Sequence, residues 1–278
     1  MKESTKREDS GPDETAPTTN EETYRLPNGR CVFHHNKHET NLIYKELFEE
    51  RIYLKHGIVL NPGACVFDVG ANIGLFTLFV KQECHDAIIL AFEPTPELFE
   101  ILCRNVSPYG GSVISYQAGL SDREGVATFT YYPHYSIMSG FHADPLSDGV
   151  MLSSGIRNQL PKAAKVPESY ISAAANQKLR RKQVMECKLE TISGILASSA
   201  IERVDLLKID AERSELAILR GIAEADWSKI QQIVIEVHDA ESLESVGSMF
   251  QQHGLSMEVE QEGQFANSGV FNCFGIRR

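Results

Sequence analysis

A chain of 278 residues, 42% hydrophobic and 23% charged, has apolar material for one sizeable core and the composition of a soluble globular protein. A formal net charge of -11 at pH 7 argues against a nucleic-acid partner, because phosphate binding requires a concentrated basic surface. The longest apolar runs, such as Gly74–Val80, are too short to cross a bilayer, and the polar N-terminus has no secretory signal core, so a cytoplasmic protein off the membrane is expected.

Residues 1–22 are rich in Ser, Thr, Glu, Asp and Pro; such a stretch cannot offset its ordering entropy, which predicts a disordered tail. Tyr24–Leu26 and Arg30–His34 flank Pro27-Asn28-Gly29 and read as a short hairpin. From Glu39 to Lys55, Leu42, Ile43, Leu47, Phe48, Ile52 and Tyr53 recur near helical spacing, so residues 23–60 are expected to form a helical cap. From residue 61 to 278 strand and helix signals alternate. Cys65–Val69, Ile88–Phe92 and Val113–Ala118 read as strands separated by helices over Gly74–Gln82 and Pro96–Asn105. Val126–Tyr132 reads as an extra strand, and residues 139–182 as an inserted, partly helical lid. The alternation resumes with Met185–Leu189, a helix from about Thr191, then Val204–Ile209, Glu215–Ile222, Ile233–Val237 and Leu243–His253. Extended segments at Leu255–Val259 and Val270–Ile276 close the domain as an antiparallel edge pair. Short strands buried on both faces and spaced by helices predict an α/β, doubly wound, mostly parallel sheet. The six cysteines, Cys31, Cys65, Cys84, Cys103, Cys187 and Cys273, form no C-x-x-C pair and read as reduced thiols.

The sharpest motif is Asp68-Val69-Gly70-Ala71-Asn72-Ile73-Gly74, at a strand-to-helix junction where sheets of this kind bind ligands. Gly70 permits a tight turn and close ligand approach; Gly74 permits close helix packing or ligand entry. Dinucleotide folds place a glycine where Asn72 stands, and no P-loop Lys-Ser/Thr follows. Asp68, just before the turn, would repel a pyrophosphate and tolerate a sulfonium and an amino group, which favours S-adenosylmethionine over a nicotinamide cofactor. Glu93, followed by Pro94, is placed to accept hydrogen bonds from both ribose hydroxyls. Gln117, Ala118 and Gly119 close the third strand near the expected adenine.

Two later strands end in Asp210-Ala211-Glu212-Arg213-Ser214 and in Glu236-Val237-His238-Asp239. Their ends share one sheet edge, so Asp210, Glu212 and His238 are expected to meet beside the methyl donor. An alcohol must lose its proton as it attacks, and His238 is the natural general base, with Asp210 or Glu212 orienting it or the substrate. Carboxylates holding a divalent ion are the alternative; no metal is assigned. Glu236 is placed on the opposite layer. His34, His35 and His38 are not read as a metal site, because no second ligand group accompanies them.

On these residues the chain resembles the FkbM family of methyltransferases. The likeness is carried by Phe67 to Gly74, Phe92-Glu93-Pro94, Leu207-Lys208-Ile209-Asp210-Ala211-Glu212 and Ile235-Glu236-Val237-His238-Asp239. It departs at Arg213, where the family's acidic turn usually carries glycine, so the geometry of this turn does not carry over. The resemblance implies the class I methyltransferase (Rossmann-like) fold. Ile52 to Ile58 and Phe129 to Gly140 are similar to the subgroup associated with polyketide and nonribosomal peptide assembly lines. That implies O-methylation of a hydroxyl on a small-molecule or acyl-carrier-tethered intermediate by a freestanding domain, with Tyr53, His134, Ser136 and Ser139 near the pocket. The basic run Lys178, Arg180, Arg181 and Lys182 would suit an acidic carrier protein. Nitrogen or carboxyl methylation, a nicotinamide oxidoreductase and a catalytically silent scaffold are the competing readings.

Overall fold

The computed structural model describes residues 23–160, 165–261 and 269–277; the tail over residues 1–22 and residues 161–164 of the insert lie outside the described residues. Strands β1 (Thr23–Arg25) and β2 (Cys31–Phe33) pair antiparallel around the expected turn. Helix α1 (Lys37–Tyr44) is capped by the Asn36 side chain, which accepts from the main-chain N–H groups of His38 and Glu39. The helical periodicity continues to Lys55, but the helix does not. After Tyr44 it widens into one loose turn over Lys45–Glu49, and Arg51 then takes a left-handed conformation with φ 53°. The break turns Tyr53 inward.

The domain proper begins with β3 (Cys65–Val69), α2 (Leu75–Glu83), β4 (Ile88–Phe92), α3 (Pro96–Val106) and β5 (Val113–Tyr116). The chain continues through β6 (Gly119–Leu120), β7 (Gly125–Tyr131), the inserted helices α4 (Pro145–Gln159) and α5 (Glu168–Leu179), and β8 (Gln183–Glu190). It ends in α6 (Ile192–Ser198), β9 (Leu206–Ile209), α7 (Glu215–Arg220), β10 (Gln232–Val237), α8 (Ala240–Gln252), β11 (Leu255–Glu260) and β12 (Phe271–Arg277). The main sheet has the order β11-β12-β10-β9-β3-β4-β5. Strands β5, β4, β3, β9 and β10 run parallel; β12 lies antiparallel between β10 and the outermost β11. This is the strand order of the class I methyltransferase fold, and it reverses between β3 and β9, where an open α/β sheet forms its ligand crevice.

Alternate strand residues enter two cores. Val66, Ile89, Leu206 and Val234 join α2, α3 and the N-terminal cap on one face; Phe67, Leu90, Leu207 and Ile233 join α6, α7 and α8 on the other. All eight are fully shielded from solvent, so these strands read as continuous apolar runs.

One expected core strand lies elsewhere. Met185–Leu189 does not rejoin the main sheet: β8 pairs antiparallel with β7 and parallel with β6 in a second, three-stranded sheet. Its polarity gives the reason, since Glu186 and Lys188 are exposed while Cys187 is buried, the alternation of a strand with one wet face. Helices α4 and α5 rise from this sheet around a small core of their own, containing Tyr132, Met138, Leu152, Ala175 and Leu179. The six cysteines are free thiols. Among the described residues no helix is long and apolar enough to cross a membrane.

Candidate active site

A crevice of about 220 Å³ opens at the carboxyl ends of β3, β4, β9 and β10, roofed by the insert and by the cap. Its floor is the turn after β3. Gly70 has φ 73°, and a Cβ there would lie 1.9 Å from the Asp210 carbonyl oxygen, so no larger residue lets the turn cross the end of β9. Asn72 is also left-handed, with φ 50°, and its N–H donates to Glu93 Oε2 at 3.0 Å. Glu93 Oε1 accepts from the Thr95 N–H at 2.9 Å. Each oxygen of this buried carboxylate therefore keeps lone-pair capacity toward the crevice. Burial, opposed by those donors, raises its pKa above the ordinary carboxylate value. Ala118 and Gly119 line the adjoining wall, where the insert's Phe141 packs so closely on Gly119 that a Cβ would meet its ring at 2.5 Å.

Three expected cofactor residues are placed differently. Asp68 is fully buried beneath the floor, with Oδ2 accepting from Thr77 Oγ1 at 2.7 Å and Oδ1 from Lys208 Nζ at 3.2 Å. Asp68 and Lys208 are register partners on neighbouring strands, so the pair follows from the pleat. Asp68 thus braces the turn instead of facing a ligand, and the carboxylate that does line the crevice is Asp210. Gly74 serves helix packing, since a Cβ there would sit 2.7 Å from Leu102 Cδ1. Gln117 is exposed and outside the crevice lining, because β5 ends at Tyr116 and the chain turns outward before Ala118.

On the β9–β10 side, the crevice ends in a carboxylate-ringed imidazole. His238 Nδ1 lies 2.6 Å from Glu215 Oε1, while Nε2 lies 3.1 Å from Glu212 Oε2 and 3.3 Å from Glu236 Oε1. Asp210 or Glu212 was expected to orient His238 or the substrate; Glu212 does meet Nε2, while Nδ1 is held by Glu215. Asp210 turns away, accepting from Tyr53 OH at 3.0 Å and lying 3.6 Å from Lys208 Nζ. Glu236 belongs to the site, contrary to its expected placement, because strand residues two apart share a face. Burial, the largest influence on His238, would lower its pKa, but Glu212, Glu215 and Glu236 together push it well above the usual imidazole value. Glu212 is raised by burial against the pull of His238. Glu236 is pushed up to about 7, by burial first and then by the charge of Asp210. Glu212, Glu236 and His238 also bring three ligand atoms within 4.8 Å of one another, close enough to share one divalent ion.

Glu236 supplies a test of this charge arrangement. Its folded-state pKa of about 7 lies above the ordinary 4.5, so the folded protein binds this proton more tightly than the unfolded chain. The resulting stability is fully present below the unfolded value and is lost as pH rises through about 7. Glu236→Gln, permanently neutral, should therefore melt at a higher temperature than the native protein above neutrality and at the same temperature in acid. Thermal scans at both ends of the range check it; a constant difference across pH would refute the assigned shift.

The remaining walls come from the cap and the insert. Ser136 lines the crevice; its Oγ donates to Glu39 Oε2 at 2.6 Å and accepts from Asn72 Nδ2 at 3.1 Å. Ser139 also lines it, its Oγ accepting from the Tyr132 N–H at 2.9 Å. His134 does not, being exposed on the outer side of the same loop. His35 is committed to structure, with Nδ1 3.1 Å from Glu97 and Nε2 at the Pro133 carbonyl. Lys178, read from sequence only as part of a basic surface, lines the crevice with Nζ 3.9 Å from the Tyr135 ring centroid. Burial lowers its pKa. Glu39, Glu215 and Lys178 were not singled out as site residues. Glu215 follows Glu212 by three positions at a helix start, which is a readable signal, whereas Glu39 and Lys178 arrive from distant segments.

Comparison with known proteins fits this geometry. The model of the methyltransferase FkbM domain matches residues 68–258. The 31-O-demethyl-FK506 methyltransferase FkbM of Streptomyces tacrolimicus is 37% identical over 254 residues, covering 90% of this chain and 94% of that protein. The AMB antimetabolite synthetase AmbE of Pseudomonas aeruginosa is 34% identical over 261 residues, 91% of this chain but 12% of the synthetase, so the chain corresponds to a small part of that protein. The methyltransferase sdnD of Sordaria araneosa is 30% identical over 203 residues, covering 72% of this chain and 76% of that protein. With a family match across most of its length, and most of the crevice lining inside the matched span, this chain belongs to the FkbM methyltransferase family.

Proposed function

We propose that the protein is a cytoplasmic S-adenosylmethionine-dependent O-methyltransferase whose acceptor is a hydroxyl on a natural-product intermediate, either free or tethered to a carrier protein. The observation that carries this reading is the buried His238 ringed by Glu212, Glu215 and Glu236 at the crevice end. An amine or a carboxylate can attack without an acid–base group, whereas an alcohol needs one. The name of the Streptomyces relative, a 31-O-demethyl-FK506 methyltransferase, points the same way.

The residues present suit the methyl donor. Gly70 leaves a cradle that a Cβ would close, Glu93 would offer acceptor capacity to the ribose hydroxyls, and Asp210 lines the crevice with a carboxylate that would suit a cationic centre. The bound donor supplies an electrophilic methyl carbon with a good leaving group. The chain's own residues hold the acceptor oxygen close and in line, between the insert and the His238 cluster. As the acceptor attacks, its hydroxyl proton would pass to the ionised Glu236 carboxylate, held 3.3 Å from Nε2 of the His238 ring. Glu215 keeps the ring fixed through Nδ1. Because Glu236 must be ionised to receive that proton, turnover rises with pH through about 7. The exposed Arg180, Arg181 and Lys182, just beyond α5, whose Lys178 lines the crevice, would receive an acidic carrier protein, and no nucleic acid or membrane is needed.

Calorimetry with S-adenosylhomocysteine and with NADH tests the donor assignment; binding of NADH alone rejects it. Glu93→Gln removes the charge and one of the two oxygens that accept the Asn72 and Thr95 N–H groups, so S-adenosylhomocysteine should bind roughly 10–100-fold more weakly. Transfer of labelled methyl to hydroxy acids, their pantetheine thioesters and carrier-loaded forms tests the acceptor. Transfer only to amine or carboxylate analogues would overturn the hydroxyl assignment.

A further inference from the structure

The turn between β9 and α7 contains a residue that serves two elements at once. Arg213 is left-handed, with φ 59°. That conformation is strained for a residue with a side chain and is the ordinary place of glycine. The conformation aims the Arg213 N–H at Glu215 Oε1, 3.0 Å away, the same oxygen that lies 2.6 Å from His238 Nδ1. The guanidinium points the other way, into the insert. Its NH2 group lies 2.8 Å from Asp148 Oδ1 on α4, and its NH1 group donates to the His142 carbonyl at 3.4 Å. Asp148 is buried, its side chain 3% exposed, and its second oxygen accepts from Tyr132 OH at 3.2 Å. Beside this contact the insert's Gly140 presses on the catalytic turn so closely that a Cβ would lie 3.0 Å from the Glu212 carbonyl.

We propose that Arg213 is a positioning residue that couples the insert to the base, its main-chain N–H fixing Glu215 and thereby His238 while its guanidinium clamps α4 over the acceptor side of the crevice. The proposal rests on the acid–base reading of His238. A glycine at this position would supply the N–H without strain but nothing to hold Asp148. An arginine pays the conformational cost because it does both.

The two halves separate by substitution. Arg213→Gly keeps the left-handed turn and the N–H while removing the clamp. Arg213→Ala removes the clamp and also disfavours the turn. Arg213→Lys keeps a cation within reach of Asp148, and Asp148→Asn removes the clamp from the insert side. Two measurements on the full-length protein read the halves independently: the downfield ring N–H proton resonance of His238, and the rate of proteolytic cleavage within the insert. Cleavage should quicken at least roughly tenfold in Arg213→Gly, where the buried Asp148 carboxylate loses its charged partner, and in Asp148→Asn, where the guanidinium loses its anionic anchor on α4, and Arg213→Lys should largely restore the native rate. The His238 resonance should stay in place in Arg213→Gly and shift or broaden in Arg213→Ala. Unchanged cleavage in Arg213→Gly overturns the clamp. A resonance that moves in Arg213→Gly, or stays put in Arg213→Ala, overturns the main-chain role. Neither readout needs the methyl donor, so a protein that failed to bind S-adenosylhomocysteine would unseat the functional reading and leave this coupling to be decided on its own.

Discussion

His238→Ala is expected to lower kcat by about 10²–10⁴-fold and to leave the affinity for S-adenosylhomocysteine unchanged. The separation follows from geometry. On the proposed reading the donor side is built by Gly70, Asn72, Glu93, Ala118 and Gly119, whereas His238 meets Glu212 and Glu236 at the other end of the crevice, proposed as the acceptor side. Alanine also leaves three carboxylates without their shared cation, so part of any loss would reflect their mutual repulsion. His238→Gln controls for this by keeping volume and a polar group while giving up the titratable ring. Both variants should be inactive toward whichever hydroxyl acceptor the native protein turns over, with calorimetry confirming intact donor binding. Native turnover in His238→Gln would show that the charged ring plays no part in passing the hydroxyl proton to Glu236.

Much of this arrangement was written in the sequence, for identifiable reasons. The parallel strands show because residues buried on both faces must be apolar, and the turn at Gly70 shows because only glycine passes the Asp210 carbonyl. The placement of Asp210, Glu212 and His238 at one sheet edge needed only the rule that parallel strands end together. What was hidden depends on pairings that a linear pattern does not specify. Asp68 looked like a ligand contact because its partner, Lys208, is 140 positions away and becomes a neighbour only through the β3–β9 register. The strand β8 looked like part of the main sheet because pairing with β7 is also a non-local choice. Glu236 was a different kind of miss: a period of two already places it beside His238. The left-handed Arg213 could be noticed as a departure from glycine, but its partner Asp148 lies on an insert whose docking no local rule predicts.

Lys208→Met is expected to destabilise the protein by about 3–5 kcal/mol, because it leaves Asp68 as an uncompensated charge in the centre of the sheet. Asp68 has no solvent exposure and Lys208 is 2% exposed. Burial alone would lower the lysine's pKa, but the charges of Asp68 and then Asp210 raise it, so the ammonium stays ionised between them. Breaking such a pair costs far more than replacing both members, so Asp68→Asn in the same chain should restore most of the stability in denaturant titrations. Donor affinity should not return with it. Lys208 Nζ also donates to the carbonyls of Val69 and Gly70, at 3.1 and 3.0 Å, and so holds the turn from below. In the double variant those carbonyls have lost their donor while the fold survives, and S-adenosylhomocysteine should still bind more weakly than to the native protein. Recovery of stability and affinity together would mean that Lys208 only neutralises Asp68. Recovery of stability alone would show that the buried ammonium shapes the floor of the donor site.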